Sequence, residues 1–412
     1  MNVISLRPLL ALSVSLILAL PATAADWPHW LGPNGNGSSP ETGLLTALPA
    51  KGPKILWKVP GGEGYSAVAV VGGRAITLAQ RDGGEFVLAL DAANGKELWT
   101  TKIAGVFKNM FGNGPRSTPA IEGKFVYATS VSGPVVCLEA DSGKIVWQRD
   151  ILKEFGAKNI TWGLAASPLV EGNMVLVIPG AKGAGVAALD KRDGKTIWKS
   201  TDNKASYASP VAVTVGGQRQ ILFFTAPGLL AVKADDGKEL WRVPWETEYD
   251  VNICTPLIIG NKLFVASGEQ VGSTLFELNA QGPPKVVWES KGKKGVMTTY
   301  WANAVHHDGY LYGLSGEFDK VIDLNCVELA TGKLMWSQKK FGKAAVTLAQ
   351  GQLFTMTKTG DLVLIHCNPK GYLERGRVRL LGDNRTVPTL ANRRLYLRDL
   401  QHIYCLDVAA SQ

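Results

Sequence analysis

The sequence predicts an all-β chain, an eight-bladed β-propeller of four-stranded antiparallel blades. Three observations carry that prediction: a turn motif that returns at a steady interval, eight tight first-hairpin turns, and two end fragments that complete one another. The motif runs Leu90-Asp91-Ala92-Ala93-Asn94-Gly95-Lys96-Glu97-Leu98-Trp99 and returns as Leu138-Glu139 through Gly143-Lys144 to Trp147. It returns again with Gly194 and Trp198, with Gly237 and Trp241, more faintly before Trp288, and with Gly332 and Trp336. The Trp-to-Trp intervals lie between 43 and 51 residues, the spacing of stacked strand–turn–strand units.

Each copy has a local reason. A run rich in β-branched residues supplies a strand, the carboxylate satisfies turn N–H groups, and Gly takes the positive φ that reverses the chain. Lys opens the return strand and Trp closes it with a large apolar surface. Strands such as Ile145-Val146-Trp147 are apolar on both faces, as expected where each blade packs between two neighbours.

The first hairpin of each unit turns at Gly72-Gly73, Glu122-Gly123, Glu171-Gly172, Gly216-Gly217, Gly260-Asn261, Asp308-Gly309, Gln350-Gly351 and Ala391-Asn392. Thr118-Pro119, Ser167-Pro168, Ser209-Pro210 and Thr255-Pro256 open innermost strands, where Pro forfeits no ladder hydrogen bond. The seventh unit is degenerate, with no Trp around Arg377-Val378-Arg379-Leu380. Ile55-Leu56-Trp57-Lys58-Val59 is a repeat ending without a beginning, and the segment from Val387 to Asp407 is a repeat without its last strand. Joined, they close the ring and leave no free sheet edge at the seam.

Residues 1–24 read as a secretory signal, with Arg7, an apolar run from Leu9 to Leu20 and the Ala22-Thr23-Ala24 cleavage pattern. The run is too short to span a bilayer, and no Cys follows it to take a lipid. The expectation is a soluble secreted or periplasmic protein, not membrane-spanning and monomeric. Residues 25–53 form an irregular segment with two docked tryptophans lying over the ring, 54–408 the propeller and 409–412 a tail. A net charge of +9 comes from scattered lysines without a basic run, so no nucleic-acid partner is expected. The five cysteines have neither metal nor disulfide spacing and read as small core residues.

The tandem pattern Ser/Thr-Pro … Gly … Leu-Asp-Ala-x-x-Gly-Lys-x-x-Trp resembles the pyrroloquinoline-quinone-like (PQQ-like) propeller repeat family across residues 54–408. The opening Trp27-Pro28-His29-Trp30-Leu31-Gly32-Pro33 is similar to the leader of secreted bacterial members. Quinoprotein alcohol dehydrogenases and the propeller lipoprotein of the outer-membrane barrel-assembly machinery share that repeat. The resemblance implies PQQ as a possible cofactor, held with calcium, a disulfide of adjacent cysteines and a carboxylate base. No two cysteines here are adjacent, and no calcium cage is legible.

In such blades the Asp-x-x-x-Gly-Lys turns share one face of the disc, and the inter-blade connections share the other. Two of those connections are long, Lys102 to Arg116 and Asp150 to Leu164, and loops of that length usually carry function. The candidate ligand-binding residues on this face near the axis are Arg116, Trp162, Tyr207, Asn252, Trp301 and Asn303. Phe107, Lys108, Phe111, Asn159, Trp245, Tyr249, Lys291, Lys293, Lys294 and Tyr300 accompany them. Aromatic surfaces mixed with cations suit a planar acid, a sugar chain or a peptide. No catalytic residue and no metal site is assigned. The favoured reading is a scaffold for an unidentified protein, glycan or small-molecule ligand. The alternative is a PQQ-dependent alcohol or sugar dehydrogenase, with Trp162 or Trp301 as a floor and Arg116 as the cation.

Overall fold

A computed structural model describes residues 24–292, 295–300, 302–316 and 321–410. Residues 1–23, within the segment expected to be a secretory signal, and the last two residues of the expected tail lie outside the described residues. Eight antiparallel blades follow one another around the ring, the first seven with their four blade strands in chain order. The first blade is typical: Ala69–Val71, Arg74–Arg81, Gly84–Asp91 and Glu97–Ala104 pair in succession. The eighth joins the two chain ends, with Ile55–Pro60 antiparallel to His402–Asp407 in the register Ile55↔Leu406 to Pro60↔His402.

The repeat motif is a latch between blades as well as a turn. Asp91 accepts the N–H of Ala93 on its side chain at 2.7 Å, and Gly95 takes φ +77°. Trp57 of the preceding blade lies on that glycine, where a Cβ would come 2.8 Å from its ring. Its indole N–H donates to the carbonyl of Ala92 at 3.1 Å. The same arrangement seats Trp99 on Gly143, Trp147 on Gly194, Trp198 on Gly237 and Trp288 on Gly332. Their indoles donate to the carbonyls of Ala140, Lys191, Ala234 and Leu329. The turn glycine therefore serves twice, once for its φ and once for its missing side chain.

Three blades depart from this. Trp336 keeps the indole bond, to the Asn368 carbonyl at 2.7 Å, but lies on no glycine among the described residues. Trp241 faces a turn without the motif, and its indole donates to Gln220 within its own blade. In the seventh blade the register Ile365↔Glu374 and Val363↔Arg377 puts Gly376 where the others carry Trp. Leu48 of the N-terminal segment lies on Gly376 and donates its N–H to the Arg375 carbonyl at 2.8 Å. The chain's own leader fills the place of the missing latch.

That leader does more than lie over the ring, which corrects the sequence expectation. Trp27 is 1% exposed and exchanges two backbone hydrogen bonds with Val70, in the innermost strand of the first blade. Pro28 accepts from Ile121 of the second, and the Trp30 indole donates to the Thr255 hydroxyl of the fifth at 2.9 Å. Ser38–Ser39 pairs in parallel with Leu348 and Ala349 of the seventh, adding a fifth strand to that sheet. A segment this short reaches innermost strands so far apart around the ring only by occupying the axis. Glu41 then fixes it at the seam by accepting the N–H groups of Ala25, Asn392 and Arg393.

The seam has a second tie. Arg398, in the eighth blade and 1% exposed, donates to the carbonyls of Gly62, Ser66 and Leu78 at the first blade. No helix among the described residues is long and apolar enough to cross a membrane.

Candidate functional site

The two long connections are built structures. In the first, Gln80 accepts the Phe107 N–H at 2.6 Å and donates to Glu63, which also takes the Asn113 amide. Arg116 reaches back to the carbonyls of Gly112 and Gly114 at 2.8 and 2.5 Å and lies over the rings of Phe107 and Tyr65. Gly112 is needed there, because any Cβ would run into the Tyr65 hydroxyl. In the second, Asp150 caps a short helix, Ile151–Phe155, that ends on Gly156 in the left-handed region. Asn159 anchors the rest by donating to the Val131 carbonyl at 3.0 Å.

These loops enclose a cavity of about 680 Å³ on the long-loop face at the axis. Its walls come from both long connections through Phe111, Arg116 and Trp162, and from the later ones through Tyr207, Tyr249 and Tyr300. Trp30, rising from the axial segment, lines it together with Tyr65, Arg385 and Glu269. Trp162 stands edge-on to Phe111 at 5.9 Å and tilts against Tyr207 at 5.7 Å. Burial pushes the Tyr207 phenol up to about 12, so it stays protonated, and its oxygen accepts the Trp162 N–H. Arg385 lies over the other side of the site, 5.2 Å from the Tyr65 ring, and donates to the Phe111 carbonyl at 3.0 Å.

A buried carboxyl stands behind Arg116. Glu85 is fully buried and accepts from the Ser130 hydroxyl at 2.8 Å and from the Val131 N–H. Desolvation raises its pKa to about 7, against the pull of those hydrogen bonds and of the Arg116 charge.

Of the residues singled out from sequence, the fold brings Arg116, Trp162 and Tyr207 together around the cavity. Asn252 is placed elsewhere. Its amide donates to the carbonyls of Thr225, Ala226 and Trp245, and its oxygen accepts from Ser267, which leaves nothing to offer a ligand. Asn303 donates to the Thr255 carbonyl and ties two blades. Trp301 lies outside the described residues, as do Lys293 and Lys294. Trp245 is buried with its indole on Ser267, and Lys108 is exposed outside the cavity lining. Trp30, Tyr65, Glu269 and Arg385 were not singled out. Tyr65 and Arg385 sit on short connections with no length signal, at opposite ends of the sequence, and ring closure makes them neighbours.

The donor set does not fit a quinone held with calcium. Among the described residues no group of three or more His, Cys, Asp or Glu side chains could hold a metal, and the cavity lining offers Glu269 as its one carboxylate. The five cysteines are free and buried, each within its own blade or connection.

Eight blades, five of the junctions between them latched Trp to Gly, and a cavity on the loop face of the axis define a β-propeller of the PQQ-like repeat class. A family model described as outer membrane protein assembly factor BamB matches residues 83–317, more than half of the chain, and the chain belongs to that family. It is 21% identical over 318 residues to the BamB of Yersinia pestis, covering 74% of this chain and 76% of that protein. It is 26% identical over 285 residues to the BamB of Moranella endobia, covering 66% and 69%. Among solved structures, BamB from Moraxella catarrhalis matches with a TM-score of 0.62 at 15% identity, over 86% of this chain and 99% of that one. Quinohemoprotein alcohol dehydrogenase from Comamonas testosteroni matches with 0.64 at 13% identity, over 94% and 81%. At these identities the structural matches speak for the fold alone.

Proposed function

We propose that this chain is a protein-binding scaffold of the bacterial envelope, acting in outer-membrane protein assembly through the long-loop face of its propeller. The observation that carries the reading is the aromatic, arginine-bearing cavity at the axis of that face, in a chain whose curated relatives are named for outer-membrane protein assembly. Four exposed large apolar side chains, Val106, Met110, Phe111 and Tyr249, belong to the connections of the same face, with Met110 91% and Tyr249 66% exposed, while others lie on the outer strands of the blades. Large apolar and aromatic side chains left exposed beside a cavity are a usual mark of a protein interface. The secretion signal read from residues 1–24 supports an extracytoplasmic location. The oxidoreductase alternative has the fold in its favour and the donor set against it.

Co-purification from the natural envelope tests this. The parent chain should retain envelope proteins identifiable by mass spectrometry. The Phe111→Ser, Tyr249→Ser double variant should lose them, and Lys238→Glu on the short-turn face should keep them. Equal retention by all three would overturn the reading.

A further inference from the structure

The cavity lining sets two arginines, Arg116 and Arg385, against a single carboxylate, Glu269. Arg116 and Arg385 lie over the same Tyr65 ring at 5.8 and 5.2 Å, each donating to backbone carbonyls of the first long loop. Neither makes an ion pair among the described residues. Burial lowers the Arg116 pKa and the neighbouring Arg385 charge adds to this, while Tyr65, Tyr207 and Glu85 offset part of the shift. A guanidinium keeps its proton all the same, so the cost of holding two such charges side by side persists until an anion neutralises it. Their planar forks suit a carboxylate.

The rest of the wall is aromatic, and the apolar surface continues outside it. Met110 stands almost fully exposed beside the cavity-lining Phe111. Tyr249 and Asp250 both hold left-handed backbone, at φ +63° and +60°, with the Tyr249 ring two-thirds exposed on the lining. Such strain in a bulky residue persists at ligand clamps more than elsewhere. A neutral glycan would leave both guanidiniums unanswered. A small planar acid inside the cavity would leave Met110 uncovered. A peptide crossing the mouth answers both.

Resting on the scaffold reading, we propose that the cavity takes a segment of a partner protein in which a carboxylate side chain neighbours an aromatic or large aliphatic one. The carboxylate bridges Arg116 and Arg385, and the apolar side chain enters among Trp162, Tyr207 and the Trp30 ring.

Selection of short random peptides by display on the immobilised mature chain tests the proposal. Enriched sequences should pair Asp or Glu with a neighbouring aromatic, Leu, Ile or Met. A synthetic peptide of that sequence with both ends blocked should bind by calorimetry. Arg385→Gln should weaken it about tenfold or more, the scale of a lost charge-assisted hydrogen bond. Changing the peptide's carboxylate to an amide should cost as much, and the two losses should not add. Arg385 bonds one loop carbonyl only, and a parent-like melting curve will show that its variant is folded; Arg116→Lys gives a second reading. Enrichment without acidic residues, no enrichment, or affinity indifferent to both arginine variants would overturn the proposal. So would peptides that bind only with a free C-terminus, since the carboxylate would then belong to a chain end. If envelope partners still depend on Phe111 and Tyr249 while these tests fail, the acidic-peptide assignment falls and the scaffold stands. Loss of both dependences removes the scaffold reading itself.

Discussion

Replacing Trp147 by Ala tests the latch that builds the ring. Trp147 is buried between the second and third blades, tilts against Tyr127 with centroids 6.2 Å apart, and donates to the Lys191 carbonyl at 3.0 Å. Removing a buried ring of this size costs about 3–5 kcal/mol. The unfolding entropy of a chain this long turns that into a fall of roughly 4–6 °C in Tm. Gly194→Ala attacks the same contact from the other side, since its Cβ would lie 2.8 Å from the Trp147 ring at φ +73°. Once the ring is gone the clash is gone, and only the cost of the left-handed backbone remains, about 1–2 kcal/mol. The double variant should therefore lose less than the sum of the single losses, with a coupling of about 0.5–3 kcal/mol. Thermal unfolding followed by circular dichroism and by calorimetry measures all four proteins. Additive losses would refute the latch. Trp30→Ala, at a half-buried ring on the axial segment, should cost less than Trp147→Ala.

Deleting residues 54–60 removes the strand paired with His402–Asp407 and should abolish the cooperative transition or cause aggregation through the opened edge; a parent-like melt would show that closure lies elsewhere. Glu85 has its folded-state pKa raised to about 7, so the stability it contributes is complete below its ordinary value near 4.5 and is lost as pH rises through 7. Glu85→Gln should accordingly be more stable than the parent at about pH 8, by about 3 kcal/mol, and match it near pH 4; a stability difference independent of pH would contradict this. Added PQQ with calcium should leave Tm unchanged, since a ligand at a hundred times its Kd would add about 2.7 kcal/mol. A calcium-dependent shift, with dye reduction abolished by Arg116→Ala, would restore the dehydrogenase alternative.

The ring was legible because its signals are local and repeated. A turn demands Gly at positive φ, and each copy displays it. The second reason for Gly95, Gly143 and Gly194 was not legible, because the ring that needs the empty Cβ belongs to the neighbouring blade. Gly376 hid its meaning in the same way: its covering side chain, Leu48, lies more than three hundred residues away. The aromatic leader announced that it docks, and only the free axis of the closed ring shows where. In the candidate site, loop length pointed to Arg116 and Trp162. Residue type alone misled at Asn252, whose amide is consumed by four neighbours. Tyr65 and Arg385 become partners through closure, which no local pattern encodes.

Docking of a partner protein on the long-loop face, proposed above, can be tested directly. A photo-crosslinking amino acid placed at Tyr249, on the cavity rim, and separately at the exposed Asp236 of a short turn, tests it in cells under irradiation. Discrete crosslinked protein bands are expected from Tyr249, weakened in an Arg116→Gln, Arg385→Gln background, and none from Asp236. Bands of equal intensity from both positions, or from Asp236 alone, would contradict it.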